Sequence, residues 1–317
     1  MLEIKDTQDI KKIKFLINNL WYGKFSHVFP QQHCNYLERR NIFKLKNFLY
    51  YFYKKNTKNE KKAFLFLFTD SNSIKKSVII FRDFSIYDLN IECSIDYYKN
   101  SLFDITVNSV DNKIIIYDTI YSSGIQINHY TFIDRINEAE NFKKNTINPQ
   151  FDICNYLEEL IDLNNSLIKF EEEIFMISNN MPNIVGINMG CFKWQPSNFI
   201  YFSLKVVEKG NDLLLYTSNY RKDVLFAKIN FSDPNGEMYI NKIKNLNNYK
   251  NESIIDIGLN ENEKNNEKNN ENENNYDNDN ENEIIIIRVS NNYPSSLRHI
   301  EKLLFFKNEN INIHEIL

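Results

Sequence analysis

Cysteine, histidine, glycine and proline are all scarce in this chain, and each scarcity excludes something. The four cysteines, Cys34, Cys93, Cys154 and Cys191, are widely scattered and form no CxxC pair. Zinc-ligand spacings are therefore missing, and a disulfide framework is not expected at 317 residues. The five histidines (His27, His33, His129, His299 and His314) show no metal spacing, which argues against a zinc hydrolase. Neither a P-loop nor a dinucleotide-binding glycine motif occurs. No apolar run approaches the ~18 residues of a membrane span. No cleavable leader is read at Met1-Leu2-Glu3-Ile4-Lys5-Asp6, so a soluble intracellular protein with no membrane partner is expected. Only 7 Gly and 6 Pro are present while Asn, Ile and Lys abound, a bias of A/T-rich genomes under which motifs erode.

What is there is apolar and aromatic. Hydrophobic residues make up 42% and aromatics 14%, enough for one large or two modest domains. The net charge of −4 is misleading. Residues 260–283 hold 12 Asn and 9 acidic residues against 2 Lys, and without them the rest carries 36 basic and 33 acidic residues. The remainder is mildly basic, which is compatible with nucleic acid. The Asn/Glu segment cannot bury a core and reads as a disordered loop inserted between two strands.

Residues 7–20 have helical spacing, with Ile10, Ile13, Leu16, Ile17 and Leu20 on one face, and a second helix is expected over Glu38–Leu49. Strands are expected at Ala63–Phe68, Val78–Phe81, Ile86–Ile91 and Ile114–Tyr117, then a helix over Phe151–Lys169. Beyond Lys205 the pattern predicts strands at Leu213–Thr217, Val224–Phe231, Glu237–Ile240, Ile254–Ile257 and Ile284–Val289, then a helix near Leu297–Phe306. A second, smaller β domain from about Lys205 is the simplest division, of the oligonucleotide-barrel type.

The most informative stretch is Phe192-Lys193-Trp194-Gln195-Pro196, followed by the strand-like run 199–207. A lysine on a strand between apolar neighbours is costly to desolvate unless an anion meets it, and a phosphate suits its compact charge. It can equally be a surface lysine beside a core tryptophan.

With the segments upstream, the chain resembles the eukaryotic and viral mRNA capping guanylyltransferases, a branch of the covalent nucleotidyltransferases that includes DNA and RNA ligases. Phe29-Pro30 followed by Leu37-Glu38-Arg39 is similar to the family's entry segment, and Ile80-Phe81-Arg82 with Ile86-Tyr87 to its following hairpin. Ser101 to Val107 occupies the place of the Leu-Leu-Asp-Gly-Glu-Leu-Val strand. Ile114 to Asp118, through Gly124 and with Arg135 beyond, resembles the next block. Asn183 to Ile187 resembles the acidic-Gly strand, Lys193-Trp194-Gln195-Pro196 the Lys-Trp-Lys-Pro motif, and Ile287-Arg288-Val289 the start of the last motif. The resemblance implies an α+β protein: a nucleotidyltransferase domain of antiparallel sheets with flanking helices over 1–205, then an OB-fold-like β-barrel domain over 206–317 with the insert and a C-terminal helix.

It also implies a reaction. A lysine amine attacks the α-phosphate of GTP, giving a Lys–GMP intermediate that passes to a 5′-diphosphate RNA end, with Mg²⁺ or Mn²⁺ assisting. The implied partners are GTP, the 5′ end of nascent mRNA, an RNA triphosphatase and the RNA polymerase II tail. The implied location is the nucleus, or the cytoplasm for a viral or plasmid-borne chain. Counting from Tyr50-Tyr51 puts Lys55 at the nucleophile. Counting back from the Phe64–Phe68 strand puts Lys58 there, with Glu60 for the motif Asp, Lys61 for the Gly and Ala63 for the Arg. Both lysines also fit a solvated turn. GTP binding falls to Arg82, Asp104, Tyr117 (stacked on the base), Asp118, Lys193 and Arg288; no metal ligand is assigned. Asp104 fits equally as a strand-end turn residue, Asp118 as a cap, and Arg288 as an ion-pair partner of the acidic insert.

The pattern is eroded. Thr106 stands for a glutamate, Val185 for the acid before Gly186, Gln195 for the second motif lysine, Ser290 for an arginine and Asn292 for an aspartate. Three readings follow: a working guanylyltransferase, an inactive relative that binds nucleotide, RNA or a capping partner, and a scaffold.

Overall fold

The computed structural model describes residues 2–22, 29–56, 60–108, 110–147, 151–157, 172–195, 201–219, 222–260, 283–290, 294–309 and 311. In chain order the strands are β1 (Leu2–Glu3), β2 (Gln32–Tyr36), β3 (Tyr50–Asn56), β4 (Glu60–Thr69), β5 (Lys75–Phe81), β6 (Ile86–Asp88), β7 (Ser101–Asn108), β8 (Ile114–Ser122), β9 (Ile125–Gln126), β10 (Phe151–Ile153), β11 (Glu172–Ser178), β12 (Gly186–Trp194), β13 (Tyr201–Lys209), β14 (Asp212–Asn219), β15 (Lys222–Ile229), β16 (Ile254–Asn260) and β17 (Glu283–Ser290). The helices are α1 (Thr7–Ile17), α2 (Arg39–Asn47), α3 (Phe132–Lys144), α4 (Gly236–Lys244) and α5 (Leu297–Glu309). The chain divides into two compact units, the first running to Trp194 and the second from Gln195 to Ile313.

In the first unit, an eight-stranded sheet runs β1-β6-β5-β4-β7-β8-β10, with β9 paired to β8. Its centre is the run Ala63-Phe64-Leu65-Phe66-Leu67-Phe68, apolar at every position because the strand is covered on both faces. Leu65 and Leu67 point into a cluster with Phe103, Ile105 and the Ala139 and Phe142 of α3. Phe64 and Phe66 point the other way, to Leu102, Ile80 and the Ile13 and Ile17 of α1. Helix α1 begins where Asp6 accepts hydrogen bonds from the amides of Gln8 and Asp9, a side-chain cap on otherwise orphaned donors. Past Ile17 it ends in a π-helical turn, Asn18–Tyr22. The second sheet, β2-β12-β11-β3, faces a third cluster in which Tyr51 and Tyr53 meet Tyr117, Phe132 and Ile136.

The second unit is a five-stranded antiparallel sheet, β15-β14-β13-β16-β17. A three-strand meander is followed by α4 and then a hairpin whose first strand pairs with the first of the meander. That agrees with the expected oligonucleotide-barrel type, whose class is five-stranded and partly open. The α+β architecture of antiparallel sheets with flanking helices is thus what the chain adopts.

Several expectations are corrected. Phe151–Ile153 is not the start of a helix but a strand parallel to β8, pairing Phe151 with Ile114 and Ile153 with Ile116. The i, i+3 and i+4 spacing of Ile153, Tyr156 and Leu157 imitates a helix, yet the open edge of β8 satisfies this backbone instead. Most of the rest of that expected helix lies outside the described residues. Glu237–Ile240 belongs to helix α4, not to a strand: Ile240 and Ile243 are buried one turn apart, a period that four residues are too few to reveal. Helix α3 and strand β3 were not expected. Cys34 and Cys191, 157 residues apart, form a disulfide with Cα atoms 4.7 Å apart. No spacing rule finds this pair, because β2 and β12 become neighbours only through parallel pairing. The Asn/Glu insert, residues 261–282, lies outside the described residues.

Candidate functional site

The site lies in the first unit, where β3, β11 and β12 face β4, β7 and β8. Lys55 is the last lysine of β3 and pairs across to Glu173 on β11. Its ammonium stands over the rings of Tyr117 at 5.7 Å and Phe175 at 5.9 Å. Burial disfavours its charged form, the nearby Lys62 adds to this, and Asp104, Glu60 and Glu173 oppose it, leaving the amine with a pKa of about 8. Lys58, the other candidate, lies outside the described residues.

Around Lys55 the charges alternate in sign. Lys62 on β4 is hydrogen-bonded to Asp104 on β7. Burial raises the Asp104 pKa against the pull of Lys62. Lys193 on β12 donates to Glu173 Oε1 at 3.0 Å and stands 4.2 Å from the ring centre of Tyr36 on β2. Burial works against the Lys193 charge, but Glu173 and Tyr36 outweigh it, so Lys193 stays firmly protonated. Arg82 is exposed in the turn after β5. His33 on β2 has its pKa lowered, first by burial and then by Arg82, Lys62 and Lys193. Five basic residues from five strands or their ends thus share one neighbourhood, the environment a polyphosphate needs.

Tyr117 is 5% exposed. Its ring packs on Tyr53 at 5.0 Å, and its hydroxyl donates to Glu60 Oε2 at 2.7 Å. Burial first, then neighbouring acids, push this phenol well above its usual range. The face that the resemblance assigns to a base is therefore covered by Tyr53 and Lys55.

Asp118 is turned to another task. Arg135 of α3 donates to its two carboxylate oxygens at 2.8 and 3.1 Å, and Asn183 donates to it at 2.8 Å. Arg135 also reaches the carbonyls of Tyr130 and Met181, so a fully buried guanidinium braces α3 against β8 and the segment before β12. Gly186 opens β12 with φ +97°, a left-handed conformation that favours glycine. Arg288 lies on β17 in the second unit, its backbone paired with Asp256; its side chain lies outside the described residues.

The structure thus brings Lys55, Arg82, Asp104, Tyr117 and Lys193 together and places Asp118 behind them as a brace. Sequence reasoning gave no place in this cluster to His33, Tyr53, Lys62 or Glu173, and read Glu60 only as a stand-in for the motif Asp. The signal for two of them was present: Glu60 and Lys62 sit two apart at the start of an apolar strand, and so on one face. Among the described residues, no three His, Cys, Asp or Glu side chains gather as a metal cage. A magnesium ion carried with substrate phosphates needs only one or two carboxylates, so it requires no such cage.

No protein-family model matches the chain, and no curated protein matches it. Among solved structures it is similar to a Lig E DNA ligase described as binding DNA with a minimal scaffold (14% identity, 74% of this chain and 93% of that one, TM-score 0.36). It is also similar to the ATP-dependent DNA ligase of bacteriophage T7 in complex with ATP (9% identity, 72% and 93%, TM-score 0.37). A third is the ligase domain of M. tuberculosis LigD (8% identity, 75% and 91%, TM-score 0.35). At such scores the likeness decides nothing by itself.

Proposed function

We propose that this protein is a covalent nucleotidyltransferase of the capping type, moving GMP from GTP through Lys55 to the 5′-diphosphate end of an RNA. The observation that carries the reading is a lysine with a pKa of about 8, held over aromatic rings and surrounded by further cations. A free amine is the nucleophile, and burial is one of the ways to obtain it near neutral pH. Lys55 Nζ attacks the α-phosphorus as a P–N bond forms and the α–β P–O bond breaks. Pyrophosphate leaves, and the surplus amine proton passes to solvent. The terminal phosphate oxygen of the RNA then attacks the same phosphorus as the P–N bond breaks, and Lys55 takes a proton back from solvent and departs as the amine.

Lys193 and Arg82 are suited to hold the phosphates, and Lys62 keeps positive charge beside the leaving group. A divalent cation, when bound, would supply further neutralisation of phosphate charge. The preference for GTP and an RNA end over ATP and a DNA nick rests on the Lys193-Trp194-Gln195-Pro196 resemblance. On this reading an RNA triphosphatase and the polymerase tail are the partners, in the nucleus or, for a viral or plasmid-borne chain, the cytoplasm. One observation favours the inactive, nucleotide-binding relative instead: Tyr53 covers the ring of Tyr117, and Asp104 and Lys193 already hold partners within the protein.

The test is incubation with α-labelled GTP or ATP and a divalent cation, followed by denaturation. Label that survives denaturation, is stronger with GTP and vanishes in Lys55→Ala is the expected result. Nucleotide binding without surviving label points to the inactive relative, and label retained in Lys55→Ala moves the nucleophile elsewhere.

A further inference from the structure

Strand β7 carries threonine at position 106, and the neighbouring strand brings a carboxylate to it. Lys62 on β4 stands directly opposite Thr106, and Glu60 lies two residues before Lys62. Side chains two apart on a strand share a face, so Glu60, Lys62, Asp104 and Thr106 project from the same side of the sheet. Two hydroxyls donate to the Glu60 side chain and converge on one oxygen: Thr106 Oγ1 at 3.0 Å and Tyr117 Oη at 2.7 Å, each to Oε2. Among the described residues, Oε1 accepts none. The other acids here are paired with cations: Asp104 with Lys62, Glu173 with Lys193, Asp118 with Arg135. Among the described residues, Glu60 is held by hydroxyls alone, beside Lys55 and the ring of Tyr117.

We infer that Glu60 accepts the ribose hydroxyls of the bound nucleotide, a carboxylate supplied from β4 rather than from β7. The exchange is of like for like, because a ribose hydroxyl replaces the Tyr117 hydroxyl on the same oxygen or takes Oε1, and no buried charge is stranded. Releasing Tyr117 also frees its ring from one of its anchors, which couples sugar binding to uncovering of the aromatic face. The inference rests on the nucleotidyl-transfer reading and adds to it the residue that would distinguish a ribonucleotide from its deoxy analogue.

The experiment measures binding of GTP and of 2′,3′-dideoxy-GTP by calorimetry to the full chain, to Glu60→Gln, and to the double variant Glu60→Thr with Thr106→Glu. The wild type is expected to prefer GTP by roughly tenfold or more, as for hydrogen bonds to a charged acceptor. Glu60→Gln should lose most of that preference while binding the dideoxy nucleotide as the wild type does. The double variant, which returns the carboxylate to the neighbouring strand, should keep the preference, and it decides the matter if Glu60→Gln does not fold. A Glu60→Gln protein with undiminished preference for GTP overturns the inference while leaving nucleotidyl transfer intact. So does equal weakening toward both nucleotides in a variant of unchanged circular dichroism. A wild type that binds neither nucleotide and takes no label overturns the nucleotidyl-transfer reading, and this inference with it.

Discussion

At the scale of single residues, Lys55 and Asp118 show how much a side chain's chemistry depends on what surrounds it. Lys55 has a pKa of about 8 because burial and the charge of Lys62 both disfavour its ammonium form. Below that pH the neutral fraction falls tenfold per unit, so the rate of label formation should rise with pH and level off above about 8. Lys62→Met removes a cation and unmasks the charge of Asp104, and both changes favour the Lys55 ammonium. Its profile should therefore shift to higher pH, which single-turnover labelling across a pH series would measure; an unmoved profile would discount Lys62. Asp118 presents the opposite case. Its side chain and that of Arg135 are 4% and 1% exposed, so Asp118→Asn strands a buried guanidinium. Breaking a buried pair from one side costs about 3–5 kcal/mol. Denaturant unfolding should show that loss, and a cost below about 1 kcal/mol would remove Asp118 from the brace.

Among the elements, α3 matters most for the site, because it carries Arg135 on one side and packs against the central sheet on the other. Phe142 is fully buried and stacks on Phe103 at 4.4 Å, with Tyr97 at 5.0 Å and Phe151 at 5.6 Å around it. Phe142→Ala should cost about 3–5 kcal/mol, from lost burial and the cavity left behind. The expected signature is a large drop in the unfolding midpoint. A loss near that of a surface change would show that α3 does not close this core. The disulfide belongs to this scale too: Cys34–Cys191 ties β2 to β12, the two strands that carry His33 and Lys193.

For the molecule as a whole, the two units differ in what they can lose. In the second, β16 and β17 pair out to Asn260 opposite Glu283. The strands thus end side by side, and the segment joining them need only turn the chain. Replacing residues 261–282 with a short turn should leave the thermal midpoint unchanged or slightly higher, since each halving of the length of a connection returns only about 0.6 kcal/mol of closure entropy. A midpoint lowered by several degrees would show that the insert contributes to folding. Among the described residues, no helix is long and apolar enough to cross a membrane.

The strands that form the sheets were legible because continuous or alternating apolar runs leave little choice about which residues are covered. Ala63–Phe68 and Ile114–Tyr117 are examples, and the resemblance that singled out Asp104, Tyr117 and Lys193 rested on their order along the chain. Short segments such as Phe151–Ile153 and Glu237–Ile240 were not legible, because a few residues carry no period and their partners decide the outcome. Nor was the state of the site residues. That Asp118 faces an arginine, that Lys193 already holds Glu173, and that Glu60 reaches Thr106 and Tyr117 all depend on registers between distant strands. The sequence by itself determined which groups the protein has available and which strands carry them. Only the tertiary structure decided which charges neutralise one another and which lysine lies in a place where its proton is weakly held, because burial and pairing are properties of neighbours in space.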